Sequence, residues 1–147
     1  METFEQQEKR ARRRLRPVAL VKAALIAALI VFFVPAGPWM SYESGIATMG
    51  RVLSTNVLLA ALWQVVFALA YGWAIAAIIF SMPTITGIII GTLVGIPLYA
   101  LNYLVVANAM GFAANEVHAG IAHLSFALFF SALYRAMAVP PPHGAVK

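Results

Sequence analysis

The chain contains no cysteine and no aspartate, and its acidic residues are five glutamates, at positions 2, 5, 8, 43 and 116. Without cysteine there is no disulfide framework, no thiolate metal site and no thiol nucleophile. Charge is scarce: 10% of residues are charged and 63% are hydrophobic, against about 25% and 45–50% in soluble domains. Disorder is excluded, because disordered chains are apolar-poor and charge-rich. No nucleophile–base pair, glycine-rich phosphate loop or pair of carboxylates is visible. The chain is therefore read as a non-enzyme without a cofactor. No acidic residue falls within a long apolar run, which argues against carboxylate-coupled proton antiport.

What the sequence does hold is long apolar text, with a mean hydropathy of +0.88. Four runs, at about 18–34, 55–80, 84–106 and 117–137, contain 17, 26, 23 and 21 residues. A helix needs about 20 apolar residues to cross a hydrocarbon core. The runs are continuous rather than alternating, which excludes a β-barrel. The sequence thus predicts an all-α, integral membrane four-helix bundle over residues 17–138. A basic segment (1–16) precedes it and a Pro-rich tail (139–147) follows. The first run is longer than the apolar core of a secretory signal and no A-x-A site follows it, so it is expected to be an uncleaved span.

Orientation follows from lysine and arginine. Lys9, Arg10, Arg12, Arg13, Arg14 and Arg16 form a dense run, and Arg135 and Lys147 lie on the same side of an even number of spans. Lys22 lies one turn inside the first span and can snorkel to that interface. Arg51 is alone opposite. Both termini are therefore expected in the cytoplasm, with loops 36–54 and 107–116 outside. The basic run would meet anionic lipid, worth about 1 kcal/mol per residue. Topogenic charge accounts for the run without nucleic acid as a partner.

In a bilayer, small residues let helix backbones approach closely. Gly87, Gly91 and Gly95 recur every four residues in the third span, a glycine-zipper pattern. Softer versions are Ala68, Gly72 and Ala76 in the second span, Ala19, Ala23 and Ala27 in the first, and Gly120, Ala127 and Ser131 in the fourth. These faces predict a compact bundle with the third span central, and Pro97 is expected to kink that span near its middle. They also make a homo-oligomer, or another membrane protein, a candidate partner. A faint repeat aligns 65–71 (VVFALAY) with 128–134 (LFFSALY), pairing Phe67 with Phe130 and Tyr71 with Tyr134.

Ionisable groups inside a membrane are functional hypotheses by default, and His123 is the one such group near a span's interior. At 1.5 Å per residue, His123 and Tyr99 each lie roughly 6 Å outward of their spans' middles, Gln64 about 5 Å, and Asn102 about a turn beyond Tyr99. Tyr99 continues the glycine face, and His123, Ala127, Ser131 and Tyr134 share a face of the fourth span. Tyr99 and His123 are therefore expected to point into the bundle, with Gln64 or Asn102 near enough to join them. The layer either satisfies itself and fixes helix register or forms a small cavity for a ligand or a proton. Metal ligation is not expected: His118 and His123 are five apart, and ligand pairs on one helix prefer three or four. Glu116 with His118 is a weak surface alternative.

The stretches 65–71, 86–105 (TGIIIGTLVGIPLYALNYLV) and 119–135 (AGIAHLSFALFFSALYR) resemble the uncharacterised bacterial inner-membrane proteins of the YagU type, over the second half of the chain. In that family's pattern ten residues separate a His from a Tyr in both aromatic spans. His123 and Tyr134 keep this spacing, whereas Tyr71 is paired with Ala60, which departs from a paired-His site. The resemblance implies an inner-membrane location. The expected function is a structural, interaction or assembly role, with a small transporter or channel built on the polar layer as the alternative.

Overall fold

A computed structural model of the protein describes Gln6 and residues 15–33, 57–102 and 116–138; the side chains at 32, 33, 57–61, 63, 64 and 116–119 lie outside the described set. Lys9, Arg10, Arg12, Arg13, Arg14, Arg51, Lys147, the loops 36–54 and 107–115 and the tail 139–147 also lie outside it. The described residues are all-helical and contain four helices: α1 (Pro17–Phe33), α2 (Val57–Ile79), α3 (Thr84–Ala100) and α4 (Glu116–Ala138).

Proline sets two of the helix starts. Pro17 occupies the first position of α1, where its missing N–H is no loss, and Leu20 N–H closes the first turn on Arg16 C=O at 2.9 Å. Between α2 and α3 the chain reverses in four residues. Met82 N–H bonds Ile79 C=O at 3.0 Å, and Pro83 then leaves the helical region (φ −56°, ψ 152°). Its carbonyl accepts Gly87 N–H at 2.7 Å to open α3.

Helix α4 is the hub. It packs against α3 on one side and α1 on the other and also touches α2; α1 packs on α2, and α2 on α3. This corrects the expectation of a central third span. The small face of α3 is one narrow stripe, and Ile85, Ile89, Leu93 and Ile96 point outward from the same helix. By contrast α4 buries Ala122, Phe126, Ala127, Phe130, Tyr134 and Ala138.

On α1 and part of α2, small side chains face inward and large aliphatic ones face outward. The buried face of α1 is mostly alanine (Ala19, Ala23, Ala24, Ala27 and Ala28), and its exposed face carries Val18, Val21, Leu25, Ile26 and Leu29. In α2, Ala68 and Ala76 are fully buried while Trp73 is 62% exposed. A soluble helix carries polar residues on its outer face. Here Lys22 is the one exposed charged side chain among the described residues. One stretch among them, Gly120–Ala138, with 19 residues, is long and apolar enough to cross a membrane, and half of it is buried inside the bundle. The apolar stretches Pro17–Val31, Val65–Ile79 and Thr84–Ala100 are shorter.

Candidate functional site: a buried polar seam between α3 and α4

Two helices that each repeat every four residues can run antiparallel in register, and α3 and α4 do so. Gly87 faces Arg135, Gly91 faces Ser131, and Gly95 faces Ala127. One step further, the Tyr99 and His123 rings lie 5.6 Å apart. The approach is close because α3 offers no Cβ: one built at Gly95 would sit 2.9 Å from Ala127 Cβ and 3.2 Å from the His123 carbonyl oxygen. Gly72 does the same for α2, where a Cβ would meet Phe130 at 2.8 Å and Ala24 at 3.1 Å. The small faces at 68, 72 and 76 and at 87, 91 and 95 are thus occupied within the chain.

At the upper end of the seam, Asn102 Nδ2 and His123 Nε2 are 3.0 Å apart, both residues buried, at 3% and 2% exposure. Pro97 helps to place Asn102. It lies inside α3, three residues before Ala100, and the residues beyond 102 lie outside the described set. Proline has no N–H and its ring crowds the carbonyl four residues earlier. Beyond it Leu101 N–H reaches both Pro97 and Leu98 carbonyls, and the backbone widens into a π-type turn at 101–102. Such turns within helices are frequent at functional sites.

Tyr71 of α2 completes the surround, its ring 5.9 Å from that of His123 and 5.6 Å from that of Phe67. It was legible in the sequence only as a match to Tyr134, and the two have different settings. Tyr134 lies at the other end of α4, stacked on Phe130 at 5.7 Å, with its hydroxyl 3.4 Å from Arg16 N–H. Gln64 lies two turns from Tyr71 along α2, and its side chain is outside the described residues, as are those of Glu116 and His118. Among the described residues, no group of three or more histidines or acids could hold a metal.

At the lower end of the seam sits Arg135. The sequence counts it among the basic residues on the side of both termini, and it is 1% exposed. Its Nη1 donates to Phe80 C=O at 3.2 Å and its Nη2 to Thr84 Oγ1 at 3.5 Å. Phe80 lies just past the end of α2, where carbonyls lack intrahelical partners and a cation is favoured by the helix dipole. Gly87 leaves the room: a Cβ there would be 3.5 Å from Arg135 Cδ. Arg135 therefore fastens the α2–α3 turn to α4.

Three buried side-chain atoms among the described residues make no hydrogen bond: Asn102 Oδ1, Ser131 Oγ and Arg135 Nε. All three lie on this seam. Comparison with protein-family models, with curated proteins and with solved structures returns no match.

Proposed function

We propose that the protein is a non-enzymatic integral membrane component: a four-span bundle with both termini cytoplasmic, acting by interaction or assembly in a membrane of the bacterial inner (plasma) type. The observation that carries this reading is the apolar outer surface. Large aliphatic side chains face outward on every helix, and alanines and glycines line the closest helix contacts. Lipid tails solvate the first kind of surface, and close packing of small residues drives helix association there. The stretch Gly120–Ala138 of α4 is long and apolar enough to cross the hydrocarbon core.

Orientation is supported by the bond between Arg16 N–H and Tyr134 Oη, which sets the start of α1 beside the end of α4. Pro17 at the start of α1 and Ala138 at the end of α4 then lie at one end of the bundle, the end at which the sequence expects positive charge. The basic run would rest on anionic headgroups. A homo-oligomer or a partner membrane protein would have to use the outer aliphatic surface, because the small faces are already filled. A small transporter is the second reading, and the unpartnered Asn102 Oδ1 in a buried layer favours it.

Two experiments test the proposal. The chain should stay with membranes after alkaline carbonate extraction, and a reporter fused after Lys147 should behave as cytoplasmic. Release by carbonate, or a periplasmic reporter signal, would overturn it. Loss of flux in a His123→Ala variant that still folds would favour transport over assembly.

A further inference from the structure

The Asn102–His123 pair contains an amide with one end left over. Nδ2 lies against Nε2 at 3.0 Å; where the amide donates, Nε2 accepts, and a neutral imidazole then carries its proton on Nδ1. Oδ1 is then a buried acceptor without a partner, a state that costs free energy. Half a turn about the amide's last side-chain bond brings Oδ1 onto Nε2 instead. That orientation needs a hydrogen on Nε2, which the imidazolium ion always carries. Two tyrosine rings add to this: Tyr99 and Tyr71 have centroids 5.6 and 5.9 Å from that of the imidazole, inside the roughly 6 Å over which an aromatic face attracts a cation.

We infer that His123 is a proton-binding site, with the Asn102 amide rotating to register whether the proton is bound. The proton comes from water at the protein surface and bonds to the Nε2 lone pair. The Nδ2–H···Nε2 hydrogen bond gives way to Nε2–H···Oδ1, and no covalent bond of the protein breaks. Below the pair the close Gly95–Ala127 contact shuts the seam. The titratable and charged groups on the packed elements are Tyr71 from α2 and Tyr99 from α3, with Arg135 three turns down α4 and Lys22 exposed near the start of α1. The inference requires the buried pair and stands apart from any role in transport or assembly.

The test uses the full chain with ¹⁵N-labelled histidine and asparagine in lipid nanodiscs, titrated between about pH 4.5 and 9, which brackets the ordinary histidine range. Signals of His123 and Asn102 are assigned by their loss in H123Q and N102L. The account expects the His123 Nε2 shift and the Asn102 side-chain amide shift to move at one shared midpoint. In N102L, proton affinity at His123 should change roughly tenfold. A His123 that stays neutral throughout, or that titrates while the Asn102 amide stays still, overturns the inference. Both observations come from the unmodified chain, so the inference is decided even if N102L fails to fold. An N102L midpoint equal to that of the unmodified chain overturns it as well.

Discussion

Substituting alanine along the glycine stripe of α3 should produce a graded loss of stability that the geometry sets position by position. At Gly95 the new methyl would lie 2.9 Å from Ala127 Cβ, 3.2 Å from the His123 carbonyl oxygen and 3.4 Å from Leu124 Cα. Comfortable carbon–carbon contacts begin at about 3.5 Å, so α3 and α4 must part by roughly 0.6 Å or more. Two of the three obstacles are backbone atoms, which cannot rotate aside. Overpacking of this kind costs about 1–3 kcal/mol, and alanine returns up to about 1 kcal/mol in helix propensity. The net loss for G95A is then about 1 kcal/mol. At Gly91 the methyl would run into Ser131 Oγ and lie 3.0 Å from Ser131 Cβ and 3.2 Å from Ile75 Cγ2, so G91A should lose at least as much. At Gly87 the nearest atoms are Arg135 Cδ, at 3.5 Å, and Arg135 Nε and Ile79 Cβ, both at 3.6 Å. These are ordinary contacts, and G87A should be neutral or slightly stabilising. Unfolding in mixed micelles, followed by helical circular dichroism, would give the order. The double variant G95A/A127G, which moves the methyl from one helix to the other, should recover about half of the G95A loss. If G87A costs as much as G91A, or A127G recovers nothing, the close seam is not what holds the bundle.

Three other substitutions probe the same seam. Arg135→Ala strips a charged donor from a buried carbonyl and should cost about 2–3 kcal/mol; R135K should recover part at most, since one ammonium cannot bridge Phe80 and Thr84 as the guanidinium fork does. Ser131→Ala deletes a buried hydroxyl that has no partner and should be neutral or stabilising by up to about 1 kcal/mol, as read from the same unfolding curves. Pro97→Ala restores the N–H that Leu93 C=O lacks; α3 should become more stable, while the His123 ring shifts change because Asn102 moves with the straightened turn.

Four helices were legible because a long apolar run without alternation has few other folded forms, and each helix falls on one run. The stripe at 87, 91 and 95 was legible because spacing by four is a property of one helix alone. Its antiparallel match to 123, 127, 131 and 135 could be suspected from two such faces, but the sequence does not say which helices adjoin. For that reason α4 emerges as the hub where α3 was expected, and Tyr71 joins a layer in which its own helix gave it no special place. The burial of Arg135 was invisible for a different reason. A charge near a helix end is ordinarily solvated, and what draws this one in is a carbonyl 55 residues away, with space left by a glycine on a third element. The sequence offers Asn102 or Gln64 as the partner of the Tyr99–His123 layer, and straight-helix arithmetic cannot choose between them because it does not include the turn that follows Pro97.

The account rests on lipid as the solvent of the outer surface, and Trp73 reports on that most directly. Its side chain is 62% exposed on α2. In a W39F/W63F variant reconstituted in bilayers, Trp73 fluorescence should be strongly quenched by lipids brominated along the acyl chain and shielded from aqueous acrylamide. Quenching by acrylamide with no response to brominated chains would place that surface in water and contradict the membrane reading.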